Sequence, residues 1–232
     1  MSTHDTGMVF RPDLSKKQTP VQKRSIDTLE TILNVTAILL GEVGIERLST
    51  NLICARAGLT PPALYRYFPN KYAVLKELAT RLMHRQNEAY LEWVRTSHPT
   101  PAEHTTAQQA DRLRQIQEIT NAVTQDFPGA VWILRALRAV PILQQVRLES
   151  HNFVAERSYR EVRAYYPSAS EAELRLATRL SVEVMYSATE MVFDEPGLDA
   201  DHINREIADM VVRYFQKFAD REAELAATAR AG

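Results

Sequence analysis

The chain has a single cysteine, Cys54, so no intrachain disulfide can staple it. Only seven glycines occur in 232 residues. Long stretches hold neither Gly nor Pro, which excludes a sheet of strands joined by glycine-rich turns and leaves an all-α reading. No apolar run approaches the roughly 20 residues that a membrane-spanning helix requires. The opening MSTHDTGMVFRPDLSKKQTPVQKR lacks the hydrophobic stretch of a secretory signal. A soluble, cytoplasmic protein is expected. Recognisable catalytic chemistry is also missing. Six histidines (His4, His84, His98, His104, His151, His202) are scattered, and none forms a His-Glu-x-x-His or Glu-x-x-His unit. There is no glycine-rich phosphate loop and no nucleophile elbow. No catalytic residue, metal or cofactor is therefore expected.

What is present is ordinary globular composition, 45% hydrophobic and 25% charged, with a net charge of -1. The charge is uneven. Residues 1–80 carry ten Lys and Arg against seven Asp and Glu, and the remainder carries 18 against 22. A basic N-terminal part on a mildly acidic body suits contact with nucleic acid through one end.

Apolar periodicity places nine helices. Residues 1–22 read as a flexible basic arm with Lys16 and Lys17. Ile26, Leu29, Leu33, Ala37 and Leu40 make one stripe of a helix from about Gln22 to Gly41, which Gly41 or Gly44 can end. Ser49 caps a short helix from Thr50 to Ala57, which Gly58 ends through positive φ. Thr60 caps a third, Pro61 to Tyr67, with proline at the first position, where a missing N–H costs nothing. Asn70 caps a fourth reaching Thr96, and the linker SHPTPAEH follows. Five more helices are expected over about 105–125, 128–140, 141–166, 170–193 and 201–227. Ser170 with Glu173 forms a capping box for the fourth of these, and Asp201 caps the last. Leu180, Met191 and Met210 lie on broad apolar faces of the last two helices, a surplus that an intersubunit bundle would absorb.

The segment LSTNLICARAGLTPPALYRYFPNKYAVL, residues 48–75, carries the functional information. Two short helices around a glycine-centred turn, behind a longer one, make a helix-turn-helix whose second short helix enters the major groove. Thr50 and Thr60 offer hydroxyls near helix N-termini, where phosphate oxygens meet free amides. Tyr65 and Tyr67 add phenols and Lys71 an ammonium. Arg66 suits guanine edges or phosphate, Asn51 suits adenine, and Pro61 and Ala63 suit a thymine methyl.

This segment resembles the TetR family, whose signature A-G-V-S-x-x-x-L-Y-x-[HY]-F-x-x-K-x-x-L reads here as Ala57, Gly58, Leu59, Thr60, Leu64, Tyr65, Tyr67, Phe68 and Lys71, with Val74 at the final position and Leu75 one residue beyond it. The resemblance implies a three-helix DNA-binding head over 23–70 and a helical effector-binding and dimerisation body over 71–232. It implies a homodimer through the last two helices, a palindromic double-stranded operator and, usually, repression. Carried over by position, Thr50, Asn51, Thr60, Pro61, Ala63, Tyr65, Tyr67 and Lys71 contact DNA, and Arg66 joins them on its chemistry. Pro61-Pro62 departs from the family's polar-Gly pair and removes two amides from that contact. For the body, Trp132, Phe153, Tyr159, Met185 and Tyr186 are the expected walls of a pocket for a lipophilic or aromatic effector. Two rival readings remain: a DNA-tethered interaction protein with a filled body, and a helical-bundle enzyme.

Overall fold

A computed structural model describes residues 12–17, 23–97 and 105–231. Most of the expected arm (1–11 and 18–22) and the linker residues 98–104 lie outside the described residues, as do His4, His98 and His104. The described residues contain no strand. They form α1 (Lys23–Arg47), α2 (Thr50–Ala57), α3 (Pro61–Tyr65), α4 (Lys71–Thr96), α5 (Thr106–Gln125), α6 (Ala130–Ala139), a 3-10 turn (Pro141–Leu143), α7 (Gln144–Val162), α8 (Glu171–Asp194) and α9 (Ala200–Ala231). The all-α plan is as expected.

The boundaries follow local chemistry. The Ser49 hydroxyl accepts from Leu52 N, and Gly58, at φ 65°, donates its N–H to the Cys54 carbonyl. Asn70 Oδ1 accepts from Ala73 N. Ser170 and Glu173 close the expected capping box, and Thr105 with Gln108 closes another that had not been read. Three expectations are corrected. α1 runs past Gly41 to Arg47, and the break falls at Gly44, which takes φ 70° and ψ 171°. α3 stops at Tyr65. The side chain of Asp199, rather than Asp201, accepts from the amide of His202 in the first turn of α9.

The chain divides into two compact units. The head comprises residues up to Thr80 together with Trp132–Gln145. Ile32, Leu33, Leu40, Leu48, Ile53, Leu64, Phe68 and Leu75 are essentially fully buried within it. By length and composition α1 could cross a membrane, contrary to the expectation from the sequence. Its burial pattern is that of a core helix, with Leu29, Ile32, Leu33, Ala37, Leu39 and Leu40 at 3% exposure or less. Trp132 packs close to Gly41, where an added Cβ would stand 3.2 Å from the indole nitrogen. Residues 12–17 lie against the same unit. Asn70 Nδ2 donates to the Asp13 carbonyl at 2.7 Å, Lys17 N donates to the Tyr67 carbonyl at 2.9 Å, and Lys16 pairs with Glu77 at 3.1 Å.

The body comprises Arg81–Val131 and the chain from Val146 onward. Within it, α9 packs on α5 and α8. Leu174, Ala177, Ala169 and Phe218 form one cluster at the α8–α9 contact. Arg221 binds Glu173 through both guanidinium nitrogens there, and with Ser170 holds that carboxyl down at about 2.

Candidate functional site

α2 and α3 meet at a tight turn, and their burial follows the helical repeat. Ile53, Cys54 and Leu64 point into the head, while Asn51, Thr60, Pro61, Pro62, Tyr65 and Arg66 are exposed and Thr50 and Ala63 half-buried. Tyr65 is 41% exposed, and its hydroxyl lies 3.0 Å from the Thr50 hydroxyl. The start of α2 and the end of α3 thereby present one polar surface. Thr60 occupies the N-cap position of α3 in extended conformation but makes no side-chain cap bond, so its hydroxyl is not spent on its own helix. Pro61 and Pro62 present apolar rings and no N–H.

Two sequence expectations change here. Tyr67 is only 3% exposed, because it falls on the inner face beside Phe68, so its phenol does not project from the head. Lys71 is half-buried, and its ammonium donates to the carbonyls of Ile45 and Leu48, each at 2.9 Å. It satisfies carbonyls at and just past the C-terminal end of α1 rather than reaching freely outward. Lys16, paired with Glu77, is likewise not a free cation. Cys54 is buried and its thiol is pushed up by burial, as suits a small core residue.

Residues 32–78 match the family model for bacterial regulatory proteins of the tetR family. Over these residues the chain is similar to the TetR family. It is 35% identical over 71 residues to the nucleoid occlusion factor SlmA of Mannheimia succiniciproducens, covering 30% of this chain and 33% of that protein. It is 40% identical over 53 residues to the class A tetracycline repressor from transposon 1721 of Escherichia coli, covering 23% and 24%. The chain thus spans between about a quarter and a half of the length of the curated relatives it matches. Among solved structures, SmeT, the repressor of the Stenotrophomonas maltophilia multidrug efflux pump SmeDEF, superposes with a TM-score of 0.60 at 20% identity over 81% of this chain and 91% of that one. That likeness is one of fold.

The body contains a cavity of about 230 Å³ among residues of α4, α5, α7, α8 and α9. Met185 and Tyr186 are among the residues that line it. Trp132, Phe153 and Tyr159 do not, which corrects the sequence reading. Trp132 belongs to the head unit, Phe153 is 44% exposed, and Tyr159 packs against the Leu174–Phe218 cluster beneath the Arg175 guanidinium at 4.2 Å. Large rings at helical spacing mark a face without saying what that face meets.

Three polar pairs are built into the wall. Gln86 donates to Thr124 Oγ1 at 2.7 Å and accepts from the Tyr186 hydroxyl at 3.0 Å. Gln117 donates to the Met185 carbonyl and to Thr189 Oγ1. Tyr90 shares a 2.9 Å bond with Ser158, and burial pushes its phenol up to about 12. Gln86, Thr124, Gln117, Thr189, Tyr90 and Ser158 were not anticipated, because Gln and Thr inside amphipathic helices carry no motif. Behind the wall, the buried His151 stacks on Tyr186 with ring centres 3.9 Å apart and bonds Glu183 through Nδ1 at 3.0 Å. No group of acidic, His and Cys side chains suited to a metal ion occurs among the described residues.

Proposed function

We propose that this chain is a homodimeric transcriptional repressor that grips a palindromic double-stranded operator with α2 and α3 and is controlled by a small molecule in the body cavity. One observation carries the DNA part. The family-matched segment turns Thr60, Pro61, Tyr65 and Arg66 outward on and around a short helix, beside Thr50 and Asn51 on α2. Hydroxyls near the N-termini of two helices position the phosphates, while the Arg66 guanidinium and Asn51 amide read base edges. Ala63 and Pro61 supply the apolar contact. Two heads held about 34–36 Å apart would meet successive major grooves of one duplex face.

Support for a dimer comes from the single chain's surface. Leu176, Leu180 and Met191 on α8 and Met210 on α9 are 57, 43, 46 and 59% exposed. A second copy packed through α8 and α9 removes them from water. Effector control then requires only that the ligand bind one head spacing better than another, since a ligand shifts an equilibrium by its differential affinity. A chain of this kind works in the cytoplasm, where the operator is. Its partners are operator DNA, a lipophilic or aromatic effector and its own second copy.

The test is genome-wide mapping of bound DNA with the full chain, followed by anisotropy titration of the recovered sites. Recovery of one inverted repeat, bound by two chains, is expected. Enrichment of no common sequence overturns the reading.

A further inference from the structure

The cavity has spent most of its polar groups on itself. Gln86, Gln117 and Tyr90 are bonded within the wall, as described above. The charged side chains on the wall are Arg112 and Glu161, with Trp93 beside Arg112. The Trp93 indole N–H is buried and has no partner among the described residues, although a buried donor is ordinarily paired. Trp93 and Arg112 both line the cavity, and the Arg112 guanidinium stands 5.0 Å from the centre of the Trp93 ring. Arginine carries five N–H donors in a planar fork. One of them goes to the Ser97 carbonyl at 2.6 Å. Glu161, also on the wall, is bound by Arg157 at 3.0 Å. Two guanidiniums thus stand against one carboxylate, leaving one positive charge and an orphan donor facing the same space.

Size and lining narrow the ligand. A cavity near 150 Å³ holds benzene, so about 230 Å³ suits one ring or two fused rings with a short substituent. Ile116, Met185 and Phe215 give that space apolar and aromatic walls. A dianion would overcompensate the single excess charge beside Glu161, and a neutral ligand would leave it unmet.

We propose that the cavity binds a small aromatic monocarboxylate, its ring among the apolar walls and its carboxylate received by the Arg112 guanidinium and the Trp93 indole N–H. This names the ligand class of the site put forward above as the effector cavity. It rests on that reading only for its consequence at DNA, because binding is measured without DNA.

Calorimetric titration of the full-length protein with 2-naphthoate, and with its neutral counterpart 2-naphthylmethanol, tests it at neutral pH and about 0.15 M salt. The carboxylate is expected to bind once per chain and at least about tenfold more tightly than the alcohol. Arg112→Gln should bring that ratio to near one without weakening the alcohol. Arg114→Gln, a turn-adjacent control on the outer face of α5, should leave the ratio intact. Trp93→Phe keeps a ring and should cost the carboxylate severalfold, so the proposal does not hang on one variant's folding. No heat with 2-naphthoate up to about 1 mM, equal affinity for the alcohol, or a ratio indifferent to Arg112→Gln overturns it. Decanoate binding as tightly as the naphthoate overturns the aromatic part. Tight, Arg112-dependent binding with no change in operator affinity would leave the ligand class standing and sink effector control instead.

Discussion

The Tyr65 hydroxyl lies 3.0 Å from the Thr50 hydroxyl, a bond between the last residue of α3 and the first of α2. It fixes the direction of a phenol that is otherwise free to swing, at the surface where a phosphate would sit. Tyr65→Phe removes the bond and leaves the ring. An exposed hydroxyl pair adds little to folding, so the unfolding free energy should change by less than about 0.5 kcal/mol. Operator affinity should fall by about 1–2 kcal/mol, roughly 5- to 30-fold. A double-mutant cycle with Thr50→Val, read by anisotropy, should be strongly non-additive if the two hydroxyls act on the duplex as one unit. A large fall in Tm with operator affinity unchanged would make the pair structural only.

Lys71 separates a family signature from its physical use in this chain. Its ammonium serves the Ile45 and Leu48 carbonyls, so Lys71→Met should cost about 1.5–3 kcal/mol of stability, the range for hydrogen bonds made by a charged group. Urea unfolding measures that directly. The slope of log affinity against log salt should stay nearly constant in the same variant. Arg66→Ala should do the opposite, leaving the urea midpoint unmoved and flattening the salt slope by about 0.9 if Arg66 holds a phosphate. The reverse pattern in the two variants would return Lys71 to the duplex.

Much of the head was legible because local signals there are strong. Ser49, Gly58, Pro61 and Asn70 fix helix ends by chemistry that acts within four residues. The misplacement of the α1 boundary has a simple cause. Gly41 and Gly44 are both plausible stops, and only Gly44 takes positive φ, while Gly41 stays helical with Trp132 close by. Tyr67 was misassigned because a signature position says nothing of burial, and here the inner face begins one residue before Phe68. The body was legible as helices and little further. Its cavity is defined by contacts between residues up to about a hundred positions apart, such as Gln86 with Tyr186, and no spacing rule connects them.

His151 supplies a pH dependence with a definite sign. It is 1% exposed, and burial holds its imidazole below the ordinary value of about 6.5 despite the hydrogen bond to Glu183. His151 is therefore neutral at pH 7, and its hydrogen bond to Glu183, with the Arg179 and Arg147 charges behind it, keeps that carboxyl ionised against the cost of its own burial. Above pH 6.5 both the folded and unfolded chains carry a neutral ring, and the group contributes no slope. As pH falls below that, the unfolded chain takes up the proton first, so stability is lost toward the folded value, with a limiting slope of about 1.4 kcal/mol per pH unit. Urea midpoints should fall between pH 7 and pH 5, and His151→Gln should flatten that fall. A midpoint that rises on acidification in the native protein would mean the imidazole is charged in the fold.

The proposed dimer can be tested at the apolar positions left exposed on α8 and α9. Leu180 is 43% exposed in the single chain, so Leu180→Glu should leave the fold of one subunit intact, with unchanged helicity by circular dichroism. In a twofold-symmetric pair the new carboxylate enters the interface twice, and each copy loses water without gaining a partner. A weakening of about 3 kcal/mol or more, over a hundredfold in the dissociation constant, is expected. Sedimentation equilibrium should then report a monomer at concentrations where the parent is a dimer. Operator binding should weaken in step, because two unlinked heads no longer share one binding event, and the weakening should shrink as protein concentration rises. A Leu180→Glu protein that stays dimeric with full operator affinity would place the pairing surface elsewhere on the body.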